Sequence, residues 1–275
     1  NRGVEALKPH MANVKIAKRP DWALKISWVN SGVQGAQRWL NLAKLYLGDE
    51  CLPYLDRTIT FAPVIRLRNF DTAHFDNTPY AGFKDDMVAW HKNGNGHKLM
   101  AYLQPMIMNA NAVNGPAPTG EDSVTIEKAR AANTVYAFNP LPNDAGFTAQ
   151  QHLGYLPWQE WMLKTVYDMI NVYGADGVYH DQSYISPVDD RGLVDEMTSH
   201  QGMADYFNKA QTQSPNSIHA TEHLTEVNSV GASLGIASGI HWGTAKTMRN
   251  QRMRNASPVC NALHYPNATM FSFPH

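Results

Sequence analysis

The sequence predicts an α/β fold, a (β/α)8 TIM-like barrel read as one catalytic domain over residues 1–275. Three observations predict it. Apolar runs alternate with amphipathic segments, the pattern of βαβ units in a parallel sheet. Seven or eight such runs fit in 275 residues, close to the roughly 250 of a closed barrel. No G-x-G-x-x-G or P-loop spelling supports an open nucleotide-binding sheet.

The elements follow in order. "WALKISWV" (22–29) reads as a strand, and "GAQRWLNLAKLYLG" (35–48) as a helix stopped by Gly48. "TITFAPVIRL" (58–67) reads as a strand, "GFKDDMVAWHKNG" (82–94) as a helix, and "HKLMAYLQPMIM" (97–108) as one buried strand. A polar, breaker-rich stretch over 109–133 reads as a long functional loop. "PWQEWMLKTVYDMINVYG" (157–174) is an amphipathic helix with Pro157 in its first turn and Gly174 at its end. "ADGVYHDQ" (175–182), "HQGMADYFNKAQTQ" (200–213) and "NSIHATEH" (216–223) then read strand, helix, strand. "GIASGIHW", "VCNALHY" and "ATMFSF" are the late strands.

Composition narrows the function. The net charge of −1 offers no basic stripe, so no nucleic-acid partner is expected. No apolar run approaches the roughly 20 residues of a membrane span. Charged residues make up 17%, below the roughly 25% of an average domain, while Asn, Gln, His and aromatics are plentiful. That balance favours a carbohydrate-handling, exported protein, extracellular or periplasmic. The opening "NRGVEALKPH" carries no initiator Met and reads as a mature chain or an excised catalytic core. Cys51 and Cys260 are read as unpaired thiols, and the spacing does not decide whether they meet. The oligomeric state is not readable.

In a barrel the chemistry sits at the carboxyl ends of the strands. Those ends supply Asp71, His74 and Asp76; Tyr102 and Gln104; His180, Asp181, Gln182 and Tyr184; and Glu222, His223 and Glu226. Asp181 and Glu222 stand out. Each closes a predicted strand, and they lie 41 positions apart, one βα unit with a long loop. Neighbouring strands would set both carboxyls across one pocket. A retaining glycosidase needs such a pair about 5 Å apart, one ionised as nucleophile and one protonated as acid/base. A like charge nearby and partial burial keep the second proton in place near neutrality. The competing reading is an Asp capping a helix and a Glu in a surface ion pair. Around the pair, Trp28 and Trp242 are candidates for stacking on a sugar face. Tyr102, Gln104, His180 and His223 could bind sugar hydroxyls, and "DTAHFD" could form a subsite wall. Asp71 and Asp76 could equally cap a turn. Trp158 and Trp161, at helical spacing, read as core.

"GADGVYHDQSY" followed by "HATEHLTEV" resembles the β/α-barrel domain of a group of retaining glycoside hydrolases. The group includes endo-α-N-acetylgalactosaminidases, α-galactosidase-like barrels and related bacterial domains. The resemblance is tight over about 173–227 and loose over 20–270. It implies Asp181 as nucleophile, Glu222 as acid/base and Glu226 as a substrate contact, with an α-linked galactose- or N-acetylgalactosamine-type substrate and no cofactor or metal. His223 departs from the family pattern, where a small residue is common, and the flanking β-sandwich domains of the group are not in this sequence. The alternative is a non-catalytic glycan-binding or structural barrel within a larger assembly.

"HATEH" also spells the H-x-x-E-H of an inverted zinc peptidase. That site needs both histidines on one face of a helix and a further acidic ligand downstream. No Asp or Glu follows Glu226, and the segment reads as a strand with His219 packed, so a metal-dependent hydrolase is disfavoured.

Overall fold

The computed structural model describes residues 17–26, 28–31, 41, 44–45, 48–50, 58–63, 83–93, 96–109, 135–137, 148–181, 183, 192–222, 224–225, 227–237 and 269–272. Seven strands form one parallel sheet: β1 (Trp28–Ser31), β2 (Thr58–Pro63), β3 (Lys98–Leu103), β7 (Gly177–His180), β8 (Ile218–Thr221), β9 (Leu234–Ala237) and β10 (Thr269–Ser272). Their order in the sheet is their order in the chain. An open doubly wound sheet would reverse direction at a switch point; this one does not. The parallel α/β sheet predicted from sequence is therefore present. Among the described residues the ladders run from β1 to β10, and none joins β10 back to β1.

Three shorter strands, β4 (Ile107–Asn109), β5 (Val135–Ala137) and β6 (Thr148–Gln151), make a separate antiparallel sheet in the order β4-β6-β5. The predicted single strand over 97–108 is thus two. Pro105 has no N–H to give a ladder, the chain turns at Pro105–Met106, and Ile107–Asn109 pair with Thr148–Gln150 instead. This sheet is inserted after β3, beyond the end that carries Gln104.

The first predicted strand also needs correction. Residues Asp21–Lys25 form a 3₁₀ turn started after Pro20, and the strand begins only at Trp28. The turn puts Ala23 and Ile26 into a buried cluster with Ile59, Met100, Tyr102, Tyr179, Ile218, Ala220 and Leu234. These strand residues all belong to one face of the sheet, so the turn plugs that face at its amino end. The Trp22 indole donates to the Asn216 carbonyl at 2.9 Å, and Lys98 Nζ lies 5.1 Å from the Trp22 ring centre. Beside it Asp176 accepts from Lys98 Nζ at 3.0 Å and from the Leu99 N–H at 3.0 Å, with His91 Nε2 at 3.2 Å. Burial alone would raise the part-buried Asp176 carboxyl, but those partners hold it below its ordinary value, and the hydrogen bond to Asp176 raises His91 in turn.

Helices cover the opposite face. The described helices are α1 (Phe83–Asn93), α2 (Leu156–Tyr167) and α3 (Ser199–Gln213), close to their predicted bounds. In α2 the Leu156 N–H, left without a partner inside the helix, donates to Asp195 Oδ2 at 2.9 Å. The helix runs on into a π-helical turn, Asp168–Val172, and Gly174 ends it in the left-handed region at φ +86°. In α3 a capping box starts the helix: Thr198 Oγ1 accepts from Gln201 N at 3.2 Å, and Gln201 Oε1 accepts from Thr198 N at 2.9 Å. Its buried residues Met203, Tyr206, Phe207 and Ala210 recur at i, i+3, i+4 and i+7, and this stripe lies against β7 and β8.

The helix predicted over 35–48 is described at Asn41, Lys44 and Leu45, all helical, and at Gly48, which lies outside the helix at φ +71°. The 109–133 loop beyond Asn109 and the "VCNALHY" strand lie outside the described residues. Among the described residues no helix is long and apolar enough to cross a membrane.

Candidate active site

Strand alternation decides which side chains share the inner face at the carboxyl end of the sheet. On β7, Tyr179 joins the inner cluster, so His180 turns to the helices and the following residue, Asp181, returns to the inner side. On β8, Ala220 joins the same cluster and Glu222 follows in phase. The register pairs His180 with Thr221. Asp181 and Glu222 are each the next residue, so the two carboxyl-bearing residues leave adjacent parallel strands at one level. Adjacent strands run about 4.8 Å apart. The fold thus brings the two predicted carboxylates to one end of the sheet.

Asp181 is half-buried and held from three directions. Its Oδ2 accepts from the Tyr102 hydroxyl in a short contact and from Gln104 Nε2 at 2.9 Å. Its Oδ1 lies 3.4 Å from the Tyr179 hydroxyl. The Asp181 N–H is bonded to the Leu103 carbonyl at 2.8 Å, which continues the β3–β7 ladder by one rung. Hydrogen bonds to an ionised carboxylate are about twice as strong as neutral ones. Tyr102 and Gln104, expected from sequence as sugar contacts, have their polar ends on Asp181.

Tyr179 is a member of the site that the sequence reading missed. Its ring lies 5.6 Å from that of Tyr102, its register partner. Burial first, then the negative charges of Asp181 and Glu222, push its hydroxyl far above the usual tyrosine range. It stays a neutral donor, and it stands within electrostatic reach of both carboxyls. The signal was available: Tyr179 is two residues before Asp181 on a strand and must share its face. Glu222 is itself 9% exposed, at the edge of the buried interior.

His180 requires correction as a sugar contact. It is fully buried between sheet and helices, edge-on to Tyr206 and Phe207. Its Nδ1 lies 3.1 Å from the Tyr206 hydroxyl and its Nε2 lies 3.2 Å from His219 Nδ1. Alternation gives the reason, since a residue next to an inward Asp points outward. Burial lowers His180 well below its ordinary value, and it lowers His219 to about 4, so both rings are neutral. One tautomer set fits both contacts: Tyr206 donates to His180 Nδ1 and His180 Nε2–H donates to His219 Nδ1, which leaves His219 Nε2 buried without a hydrogen bond. His219 is therefore a packed residue on a strand, as the sequence suggested, and not part of a helical zinc motif. Among the described residues no group of three or more His, Cys, Asp or Glu could hold a metal ion.

Trp28 is also displaced from its expected place. It opens β1 instead of ending it, which sets its backbone about 10 Å along the strand from the carboxyl end at Ser31. The cause is the 3₁₀ turn that delays the strand. Asp71, His74, Asp76, Gln182, Tyr184, His223, Glu226 and Trp242 lie outside the described residues. Trp158 and Trp161 are buried in α2 and pack on each other at 5.1 Å, as expected of core.

No protein-family model and no curated protein matches the sequence. Solved structures do match the fold. A GH31 family sulfoquinovosidase from E. rectale aligns over 86% of this chain and 36% of its own, at 14% identity and TM-score 0.55. The cycloalternan-forming enzyme of Listeria monocytogenes aligns over 97% of this chain and 27% of its own, at 10% identity and TM-score 0.60. The cycloalternan-degrading enzyme of Trueperella pyogenes aligns over 98% and 40%, at 10% identity and TM-score 0.59. This chain shares the fold of the aligned parts of these enzymes. At these identities the likeness carries the fold alone, and the chain spans well under half the length of these enzymes. The α-galactosidase-like group expected from sequence is not singled out by them.

Proposed function

We propose that this chain is the catalytic domain of a retaining glycoside hydrolase, a single barrel domain that cleaves an α-linked glycan by double displacement. The observation that carries the reading is the paired exit of Asp181 and Glu222 from adjacent, register-matched strands at the carboxyl end of a fold shared with glycoside hydrolases. Asp181 is the nucleophile. Tyr102 and Gln104 occupy Oδ2, so Oδ1 is the oxygen that attacks the anomeric carbon. Glu222 donates its proton to the leaving glycosidic oxygen, then takes one from the water that hydrolyses the Asp181 ester. Tyr179, beneath both, donates toward Oδ1 and steadies the charge that returns to Asp181 in the second step. One structure of the Trueperella enzyme holds a covalent intermediate, in keeping with double displacement on this fold. A galactose- or N-acetylgalactosamine-type substrate rests on the sequence resemblance. His223, Glu226, Gln182, Tyr184, Trp242, Asp71 and His74 complete the proposed sugar-binding set.

The test is hydrolysis of a panel of aryl α- and β-glycosides, including galactosides, N-acetylgalactosaminides, glucosides, xylosides and sulfoquinovosides. Turnover on one sugar, lost by about 10⁴-fold or more in Asp181→Asn, supports the reading. Unchanged turnover in that variant overturns it. A folded protein that binds glycans and hydrolyses none points to the non-catalytic alternative.

A further inference from the structure

The two carboxyl-bearing turns are joined behind the site by a buried polar chain that the chemistry above does not use. Ser183, two residues past Asp181, donates its hydroxyl to the His180 carbonyl at 2.7 Å. That carbonyl belongs to the peptide linking His180 to Asp181. Ser183 Oγ and Thr221 Oγ1 lie 2.5 Å apart. A serine hydroxyl has one proton, already given to His180, so Thr221 is the donor in this pair. Thr221 immediately precedes Glu222. Asn228 Nδ2 in turn donates to Thr221 Oγ1 at 3.3 Å and toward the Ser183 carbonyl at 3.5 Å. The Asn228 side chain is set by its own turn: its Oδ1 accepts from Thr225 N at 2.8 Å, and its N–H donates to Thr225 Oγ1 at 3.2 Å. Ser183, Thr221 and Asn228 are all fully buried. The direction is fixed throughout: Asn228 to Thr221, Thr221 to Ser183, Ser183 to the peptide of Asp181.

We propose that Ser183, Thr221 and Asn228 are positioning residues that form a clamp setting the separation of the Asp181 and Glu222 carboxyls. The ladder alone does not do this. The last rung between β7 and β8 pairs His180 with Thr221, and both carboxyl-bearing residues lie one step past it. The clamp bridges the two chains just there. Nothing in the chain of bonds reaches the inner face, so the clamp touches neither substrate nor reacting atoms. It acts through backbone placement, and a displacement of about 1 Å at a reacting group is enough to cost about a hundredfold in rate. This inference rests on the glycosidase reading for its kinetic consequence but not for its geometry.

The test uses Thr221→Val, which keeps the shape and deletes the hydroxyl, and Thr221→Ser, which restores it. Crystal structures of the wild type and both variants measure the carboxyl separation. The separation should widen by about 1 Å in Thr221→Val and return in Thr221→Ser. On the substrate found in the panel above, Thr221→Val should lose about a hundredfold in kcat with KM little changed, and Thr221→Ser should recover most of it. An unchanged separation in folded Thr221→Val overturns the proposal, as does unchanged kcat. If Thr221→Val does not fold, Ser183→Ala is judged by the same two measures. A wild type that hydrolyses nothing defeats the glycosidase reading, while the structural comparison still decides the clamp.

Discussion

Two neutral histidines sealed between the sheet and α3 should make this protein acid-sensitive in a defined window. His219 has an ordinary value of 6.5 and is lowered to about 4 by full burial. A base lowered on folding contributes stability that is complete above 6.5 and is lost as pH falls toward the folded value. Between those limits the unfolded chain binds one more proton than the folded one. The loss is about 1.4 kcal/mol per pH unit, or about 3 kcal/mol across the window. His180, lowered first by burial and then by His219, adds a second loss of the same sign. Replacing His219 by Gln removes the first titration and keeps a partner for His180. At pH 7 the variant should be less stable by about 1–2 kcal/mol, the worth of imperfectly replaced buried hydrogen bonds. The deficit should close near pH 5 and reverse by pH 4. Urea unfolding at half-unit pH steps reads this directly, because His91, Asp176 and the titrating groups remote from His219 are common to both proteins and cancel. A constant difference from pH 7 to pH 4 would refute the reasoning, since it would mean that His219 carries the same charge folded and unfolded.

Tyr102→Phe should lower kcat by about 10- to 100-fold and leave the fold intact, because it removes one charge-assisted hydrogen bond, worth about 1.5–3 kcal/mol, from Asp181 Oδ2 while Gln104 keeps the other. Steady-state kinetics check it, and a loss confined to KM would place Tyr102 on the sugar instead. Gly231→Ala should destabilise by about 3 kcal/mol, since the new methyl would lie 1.9 Å from the Phe207 carbonyl oxygen, a backbone atom of α3 that cannot swing aside. Its midpoint in a denaturant titration reports the loss, and a wild-type midpoint would show that α3 does not pack this closely on the turn after β8.

The site was legible in the sequence to the extent that it followed from local pattern. Asp181 and Glu222 could be picked out because each follows a short apolar run that strands require. Tyr102 and Gln104 were found for the same reason, but their hydrogen bonds to Asp181 were not foreseen, because which carboxylate a polar side chain meets depends on which strands adjoin. His180 was misplaced because its nearness to Asp181 in sequence outweighed the alternation that turns it away. Trp28 was misplaced because an apolar run after Pro20 was read as strand, while burial at the amino end of the core favoured a 3₁₀ turn there.

What the sequence by itself determined was the alternation of strands and helices, the helix stop at Gly174, and the identity of two carboxylates at strand ends. Those are short-range matters, decided by residues within a turn or a strand of each other. The tertiary structure alone decided that β7 and β8 are neighbours in matched register and that β3 supplies the donors to Asp181. It alone decided that Ser183, Thr221 and Asn228 meet behind the pair. Each of these joins residues tens of positions apart. Their approach follows from the packing of the whole sheet, which no local pattern records.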